Sequence, residues 1–223
     1  MEDNRSAFNS DEYDKKVNNV LPYYSQYNKQ IYDIIENLEL SEFCWLDTGC
    51  GTGNLINGIK DKYPKGRFVL CDPSLGMLNC AKEKLSSQNN IEFINISSKE
   101  LNFKSSFDIV TSVQSHHYLD KQQRQIAVAN CYKALKDKGV YITFENIALS
   151  TKESDSFGEK RWKNYLIAHG KTPEEAEKHL ARRGVELLPI TINEHLELLH
   201  NTGFRSVDII WASYMQAGFL AVK

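Results

Sequence analysis

The chain has no CxxC pair, no long apolar run and almost no net charge, and each absence removes a class of function. Its five cysteines (Cys44, Cys50, Cys71, Cys80 and Cys131) are odd in number and lack ligand spacing. They read as reduced, mostly buried thiols, not as a disulfide framework or zinc site, and no metal is expected. No apolar stretch approaches membrane-spanning length, and the polar N-terminus lacks the hydrophobic segment of a signal peptide. A cytoplasmic protein without a membrane partner is the expectation. A formal net charge of −2 gives no electrostatic support for nucleic acid as the main partner. Two nucleotide-binding signatures are also missing. The dinucleotide fingerprint G-x-G-x-x-G fails at Asn54 when started from Gly49 and at Ile56 when started from Gly51. No Gly-Lys-Ser/Thr follows the turn, as a phosphate-binding P-loop requires.

What is present is a chain of 223 residues with 41% hydrophobic and 25% charged content, enough for one α/β domain with a modest insertion. Residues 1–9 are polar and predicted to fray. From Ser10 to about Glu36 an apolar stripe at helical spacing, broken near Pro22, predicts two short helices, an N-terminal lid over 1–38. Strands are expected near 43–47, 67–72, 91–95, 107–112 and 139–145, with helices near 53–62, 75–86 and 121–136. This alternation predicts a parallel sheet covered on both faces. Residues 150–188 break the alternation and read as a helical insertion. The Thr172-Pro173-Glu174-Glu175 run and the Thr191-x-x-Glu194 box mark helix starts, and the second helix should end near Gly203. Runs 205–211 and 216–222 form a C-terminal hairpin.

The most informative segment is Leu46-Asp47-Thr48-Gly49-Cys50-Gly51-Thr52-Gly53-Asn54, which follows the apolar Phe43-Cys44-Trp45 run and precedes an amphipathic stretch. It reads as a buried strand, a tight turn and a helix start, with glycines where the backbone must adopt unusual dihedrals and lie against a ligand. About 20 residues on, Asp72 closes a second apolar strand, where nucleotide folds place a carboxylate against ribose hydroxyls. Asp47 just before the glycines repels a pyrophosphate but suits a cationic aminoacyl group.

These residues resemble the class I S-adenosylmethionine-dependent methyltransferases, whose first motif has the form acidic-x-G-x-G-x-G. The resemblance implies a Rossmann-like, seven-stranded, mostly parallel sheet with an antiparallel C-terminal hairpin. It covers about residues 40–149 and 190–223. It implies methyl transfer from S-adenosyl-L-methionine, giving S-adenosyl-L-homocysteine, to a small-molecule substrate. The cofactor-binding residues it points to are Asp47, Gly49, Cys50, Gly51, Gly53, Asp72, Pro73, Met77, Ser97, Ser98 and Gln114. Met77, in a run similar to D-x-S-x-x-M-L, is placed against the adenine or in the core. Ser97 stands where the family usually has an aspartate for the adenine amino group. The run Phe107-Asp108-Ile109-Val110-Thr111-Ser112 leads into Val113-Gln114-Ser115-His116-His117-Tyr118-Leu119, similar to F-D-x-V-x-S-x-x-x-H-H-L. His116 and His117 are therefore catalytic candidates as a general base, against a structural role. Glu145, closing the fifth strand, is expected to face the same crevice and to orient a substrate amine or hydroxyl. Tyr13 and Tyr24 in the lid, and Arg182 and Arg183 in the insertion, are candidate substrate-binding groups.

Two alternatives stay open. One is a carboxy-S-adenosylmethionine synthase-like enzyme, suggested by the Tyr13-Asp14…Val17…Val20-Leu21-Pro22…Tyr24 run and by the Glu194-His195…Gly203-Phe204 and Gly218-Phe219-Leu220-Ala221 runs. The resemblance would then place an arginine near 182 or 183 against the extra carboxylate. The other is a non-catalytic S-adenosylmethionine-binding protein. A monomer or a homodimer fits either.

Overall fold

Each buried strand sends alternate residues into two different helical layers, and that division organises the whole molecule. The computed structural model describes residues 8–223; residues 1–7, with most of the stretch predicted to fray, lie outside the described residues. Strands β1 (Cys44–Thr48), β2 (Arg67–Cys71), β3 (Ile91–Ile94), β4 (Phe107–Val113) and β5 (Leu135–Ala148) pair in parallel in the order β3-β2-β1-β4-β5. A two-residue strand β6 (Ile190–Thr191) pairs beside the end of β5. β7 (Ser206–Ser213) and β8 (Gln216–Val222) form the terminal hairpin, with β8 antiparallel to β5. The main path is the expected mostly parallel sheet with its antiparallel hairpin, and β6 is an addition that no periodicity announced.

Trp45, Phe68, Leu70, Ile109, Ile142 and Phe144 face one layer. There they meet Tyr27, Ile31 and Ile35 of helix α2 (Tyr24–Asn37) and Leu55 and Ile56 of the short helix α3 (Asn54–Asn57). Leu46, Val69, Val110 and Tyr141 face the other. There they meet Val128, Cys131 and Ala134 of α5 (Lys121–Ala134) and Leu199 of α8 (Ile192–Thr202). α4 (Leu75–Lys84) follows β2 and is capped by the Ser74 hydroxyl, which accepts from the Met77 amide. The helix expected over 53–62 is shorter: α3 stops at Asn57, and a 3-10 turn spans Lys60–Lys62. Asn57 and Gly58, both weak helix formers, stand where the helix gives out.

The insertion carries α6 (Lys152–Ala168) and α7 (Pro173–Leu180). The Thr172–Glu175 and Thr191–Glu194 capping boxes both form, and Gly203 ends α8 with a φ of 113°. The insertion holds the N-terminal helix α1 (Tyr13–Val20) through a separate small core. In that core Val20 packs with Trp162, Leu166, Ala176 and Met215. The Trp162 indole donates to the Val20 carbonyl at 2.8 Å, and the Tyr165 hydroxyl donates to Asn18 O at 3.0 Å. Trp162→Ala should therefore destabilise the protein by about 3–5 kcal/mol, since it removes a large buried ring and leaves a cavity. Chemical denaturation measures this, and a loss below about 1 kcal/mol would show that this core does not cooperate with the sheet.

Candidate active site

Parallel strands open a crevice at their carboxyl ends where the strand order reverses, here between β1 and β4. The cleft there has a volume of about 370 Å³ and is lined by the glycine loop, Asp72, Pro73, Met77, Ser97, Ser98, Gln114, Tyr13 and Tyr24. That size suits a nucleoside-sized ligand. Gly49 and Gly51 adopt φ of +68° and +55°. A Cβ on Gly49 would stand 2.4 Å from Ser115 Cβ, whereas nothing lies within 4 Å of one built on Gly51, which faces the cleft. Gly53, expected among the cofactor residues, is absent from the lining. It caps α3 and packs toward Ala81 and Leu85, so its glycine serves the turn.

Two of the acidic residues that line the cleft, Asp72 and Asp47, differ in kind. Asp72 is tied into the backbone: its carboxylate accepts from the Gly51 amide and the Ser74 amide, both at 2.8 Å. It thereby holds the glycine loop against the end of β2. Asp47 is 2% exposed. One oxygen accepts from Thr111 Oγ1 at 2.7 Å, and Thr111 in turn accepts from the Trp45 indole at 2.8 Å. Burial pushes the Asp47 carboxyl up to about 7; the Thr111 bond opposes this and the Asp72 charge adds to it.

Asp14 of α1 closes the outer side of the loop. Its carboxylate accepts from Thr52 Oγ1 at 2.6 Å, Asn54 Nδ2 at 2.5 Å and Lys84 Nζ at 2.6 Å. That latch places Tyr13 in the wall, where it shares a hydrogen bond with Tyr24. Burial raises both phenols, Tyr24 to about 12, so they remain protonated at neutral pH.

The remaining candidates lie elsewhere. His116 and His117 form a 3-10 turn and are 2% and 3% exposed. Neither lines the main cleft; Gln114, Ser115, Tyr118 and Leu119 on either side of them do. Glu145, expected to face the crevice, instead lies under this turn. It accepts from the His116 and His117 amides at 3.1 and 3.0 Å, from Thr143 Oγ1 at 3.1 Å and pairs with His117 Nδ1 at 2.8 Å. Burial alone would raise it, but the hydrogen bond and charge of His117, ahead of the smaller contributions of other nearby histidines, hold it down at about 2. His116 Nδ1 meets the Tyr141 hydroxyl at 3.2 Å, and burial drives its imidazole down to about 4, so it is neutral. The three groups brace the loop; none of them lines the main cleft, and His117 lines the smaller cavity beside it.

Arg183 is likewise committed. It bonds Asn146 and the Ile147 carbonyl and pairs with Asp155 and Glu159, fastening the insertion to the end of β5. Arg182 borders a smaller cavity beside the cleft and hydrogen-bonds Tyr118. Tyr118 itself was not singled out in the sequence. Only the phase of the 3-10 turn shows that the two histidines point inward and the tyrosine outward. Among the described residues no cluster of His, Cys, Asp and Glu could hold a metal, and no helix is long and apolar enough to cross a membrane.

Residues 46–139 match a family model described as a methyltransferase domain. The chain is 25% identical over 222 residues to a carboxy-S-adenosyl-L-methionine synthase of Staphylococcus epidermidis, covering 98% of this chain and 96% of the relative. A methyltransferase from Thermotoga maritima, described as a possible histamine N-methyltransferase, superimposes with a TM-score of 0.63 at 14% identity, covering 96% of this chain and 95% of that one. PigF, solved with S-adenosylhomocysteine, superimposes with a TM-score of 0.62 at 14% identity, covering 98% of this chain and 63% of that one. The structural likenesses concern the fold, the same mostly parallel sheet.

The raised carboxyl of Asp47 makes stability fall with pH. The folded state keeps its proton up to about pH 7, while the unfolded chain releases it near pH 4. The folded state thus binds more protons across that window, and the contribution of Asp47 is lost as pH rises through it. Asp47→Asn should be more stable than the parent near neutral pH, with the difference shrinking toward about pH 4. Urea denaturation across this range checks it; a pH-independent difference would show that Asp47 is ionised throughout.

Proposed function

We propose, on the premise that this chain is a class I S-adenosylmethionine-dependent methyltransferase by domain and by fold, that it moves the sulfonium methyl group to a small-molecule acceptor in the main cleft. The observation that carries this reading is the meeting of Asp47, Gly51 and Asp72 at one crevice of about 370 Å³. The cleft fits the cofactor. Gly51 leaves its backbone open toward the cleft, Asp47 supplies an acid for the ammonium, and Asp72 a carboxylate for the ribose hydroxyls. Met77, Ser97 and Ser98 line the part of the cleft assigned to the adenine, although Ser97 brings a hydroxyl without a charge.

When bound, S-adenosylmethionine supplies a methyl group already activated by the sulfonium, so in-line placement and exclusion of water are the main demands on the protein. The Asp47 carboxyl would hold the ammonium end at the loop as a carboxylate, having released its proton to solvent. The Tyr13, Tyr24 and Tyr118 hydroxyls stand on the wall toward the insertion. As protonated phenols they donate hydrogen bonds and orient an acceptor instead of removing its proton. The α1 helix, fastened by Asp14, covers this end from water. We assign the protein to the cytoplasm, consistent with free cysteines, as a monomer or homodimer.

A second reading uses the same cleft. The near-full-length relative is named a carboxy-S-adenosyl-L-methionine synthase, and Arg182, bonded to Tyr118, stands beside the cleft. Native mass spectrometry of the purified protein separates the two, because a co-purifying nucleoside with an extra carboxylate favours the second. A protein that holds the nucleoside and turns over no acceptor would be a binding protein.

S-adenosylhomocysteine should bind in the micromolar range, about −8 kcal/mol, and Asp72→Ala should weaken it by roughly 2–3 kcal/mol. Affinity should rise with pH toward about 7 and level off above it, because the ligand's ammonium favours ionised Asp47. In Asp47→Asn that slope should vanish. Calorimetry over a pH series measures all three; absence of binding would end the methyltransferase reading.

A further inference from the structure

We infer that Gln114 selects the methyl acceptor: its side-chain carbonyl, set in place by Gln216, takes a hydrogen bond from the N–H of a neutral amine. The inference rests on the methyl-transfer reading above and names its substrate class. Gln114 follows β4 with a φ of +54°, a left-handed conformation uncommon for a residue with a side chain. Its backbone amide donates to the Phe144 carbonyl at 2.7 Å. The residue lines both the main cleft and a smaller cavity of about 40 Å³ beside it.

The Gln114 side chain is held in one orientation. Its Nε2 donates to Gln216 Oε1 at 2.9 Å and to the Phe144 carbonyl at 3.4 Å. Turned over, the amide would set its own oxygen against that carbonyl, so the nitrogen faces the strands and Oε1 is the polar atom left to a ligand. Gln216 is 1% exposed and sits opposite Asn146 in the β5–β8 ladder. Its own Nε2 is buried without a hydrogen-bond partner among the described residues. A buried unpaired donor lowers stability, and an apolar side chain would avoid it. Gln216 instead supplies the acceptor that keeps the Gln114 oxygen available.

An acceptor oxygen selects a ligand that still carries a proton, which carboxylates lack at neutral pH. A hydroxyl has one, but O-methylation requires a base to remove it, and an amide oxygen is not a base. The acids of the main cleft are committed elsewhere. Asp72 accepts from the Gly51 and Ser74 amides and Glu100 from the Ser97 amide at 3.2 Å, while Asp47 takes the cofactor's ammonium on the reading above. His117 lines only the smaller cavity, with Nδ1 paired to Glu145. A neutral amine needs no base beforehand. Its lone pair forms the N–CH3 bond as the S–CH3 bond breaks and that electron pair passes to sulfur. The product ammonium then releases its proton to solvent. Held through one N–H by Gln114, the nitrogen keeps its lone pair in line. The Tyr13 and Tyr118 rings, which share both cavities with Gln114, offer flat surface to an aromatic amine, the kind that stays neutral near pH 7.

The test uses the full-length protein saturated with S-adenosylhomocysteine, with aniline as the probe, N,N-dimethylaniline as the control without an N–H, and phenol as the hydroxyl counterpart. Saturation-transfer NMR titrations should show aniline bound by the parent and weakened about fivefold in Gln114→Met, the scale of one neutral hydrogen bond. Dimethylaniline should not distinguish the two proteins. Gln114→Glu should recover aniline, because the new carboxylate accepts the N–H while the Gln216 amide turns and donates its Nε2 to it. Gln216→Leu should weaken aniline as Gln114→Met does, with S-adenosylhomocysteine affinity unchanged and a melting temperature no lower than the parent's. With S-adenosylmethionine, mass spectrometry should find N-methylaniline from aniline and no anisole from phenol. No aniline binding to the parent, unchanged aniline affinity in Gln114→Met or Gln216→Leu, an equal loss of aniline and dimethylaniline, or formation of anisole each overturns the proposal. Loss of S-adenosylhomocysteine binding by the parent would instead overturn the methyl-transfer reading beneath it.

Discussion

The Glu145 carboxylate is the anchor from which the rest of the site hangs. A buried acid is tolerated only when its oxygens are satisfied, and Glu145 collects the two amides of the His116-His117 turn, the His117 ring and the Thr143 hydroxyl. Fixing that turn fixes what flanks it. Arg124, itself buried, donates from the neighbouring helix to the carbonyls of His116, Leu119 and Leu188, and the Leu188 amide returns to His117 O. The insertion is thereby bonded to the same turn that carries Tyr118 into the cleft. Removing one partner of such a group costs about 3–5 kcal/mol, so the turn cannot shift independently of the insertion.

Two buried carboxylates, one lining the cleft and one beneath the His116-His117 turn, have opposite fates, and the difference separates structure from chemistry. Glu145 is held down at about 2 by its donors, whereas Asp47 is raised to about 7 with Thr111 as its side-chain donor. The first stabilises the fold because its needs are met. The second is an unmet need facing a cavity, and a ligand cation would meet it. Asp72 stands between these cases, held by the Gly51 and Ser74 amides yet lining the cleft. It links the shape of the glycine loop to the end of the neighbouring strand.

This contrast explains what was legible in the sequence. The strands could be read because parallel strands buried on both faces form continuous apolar runs, and the cleft because glycines at 49 and 51 are demanded by backbone geometry. Capping boxes at Thr172 and Thr191 are local, and local signals survive folding. His116, His117 and Glu145 were expected at the crevice because motif position gives the strand end but not which way a side chain turns. The 3-10 phase of the loop and the long-range hydrogen bonds to Glu145 decide that, and neither leaves a periodic trace. Gly53 and Arg183 belong to the same class. Their roles, packing toward Ala81 and pairing across to Asp155, depend on partners 28 residues away in each case.

The distribution of proton-holding groups also constrains the chemistry. Tyr13 and Tyr24 are phenols that keep their protons, and neither His116 nor His117 lines the main cleft, although His117 lines the smaller cavity beside it. The lining thus offers Asp47 as its acid with a raised carboxyl, and on the proposed reading the cofactor's ammonium would occupy it. An acceptor that must lose a proton during transfer finds little help from these side chains, whereas one that arrives with a free lone pair or a negative charge needs only placement. Rate then depends on how firmly α1 and the insertion hold the acceptor in line, which connects the Asp14 latch and the Trp162 core to catalysis without either touching the reacting atoms.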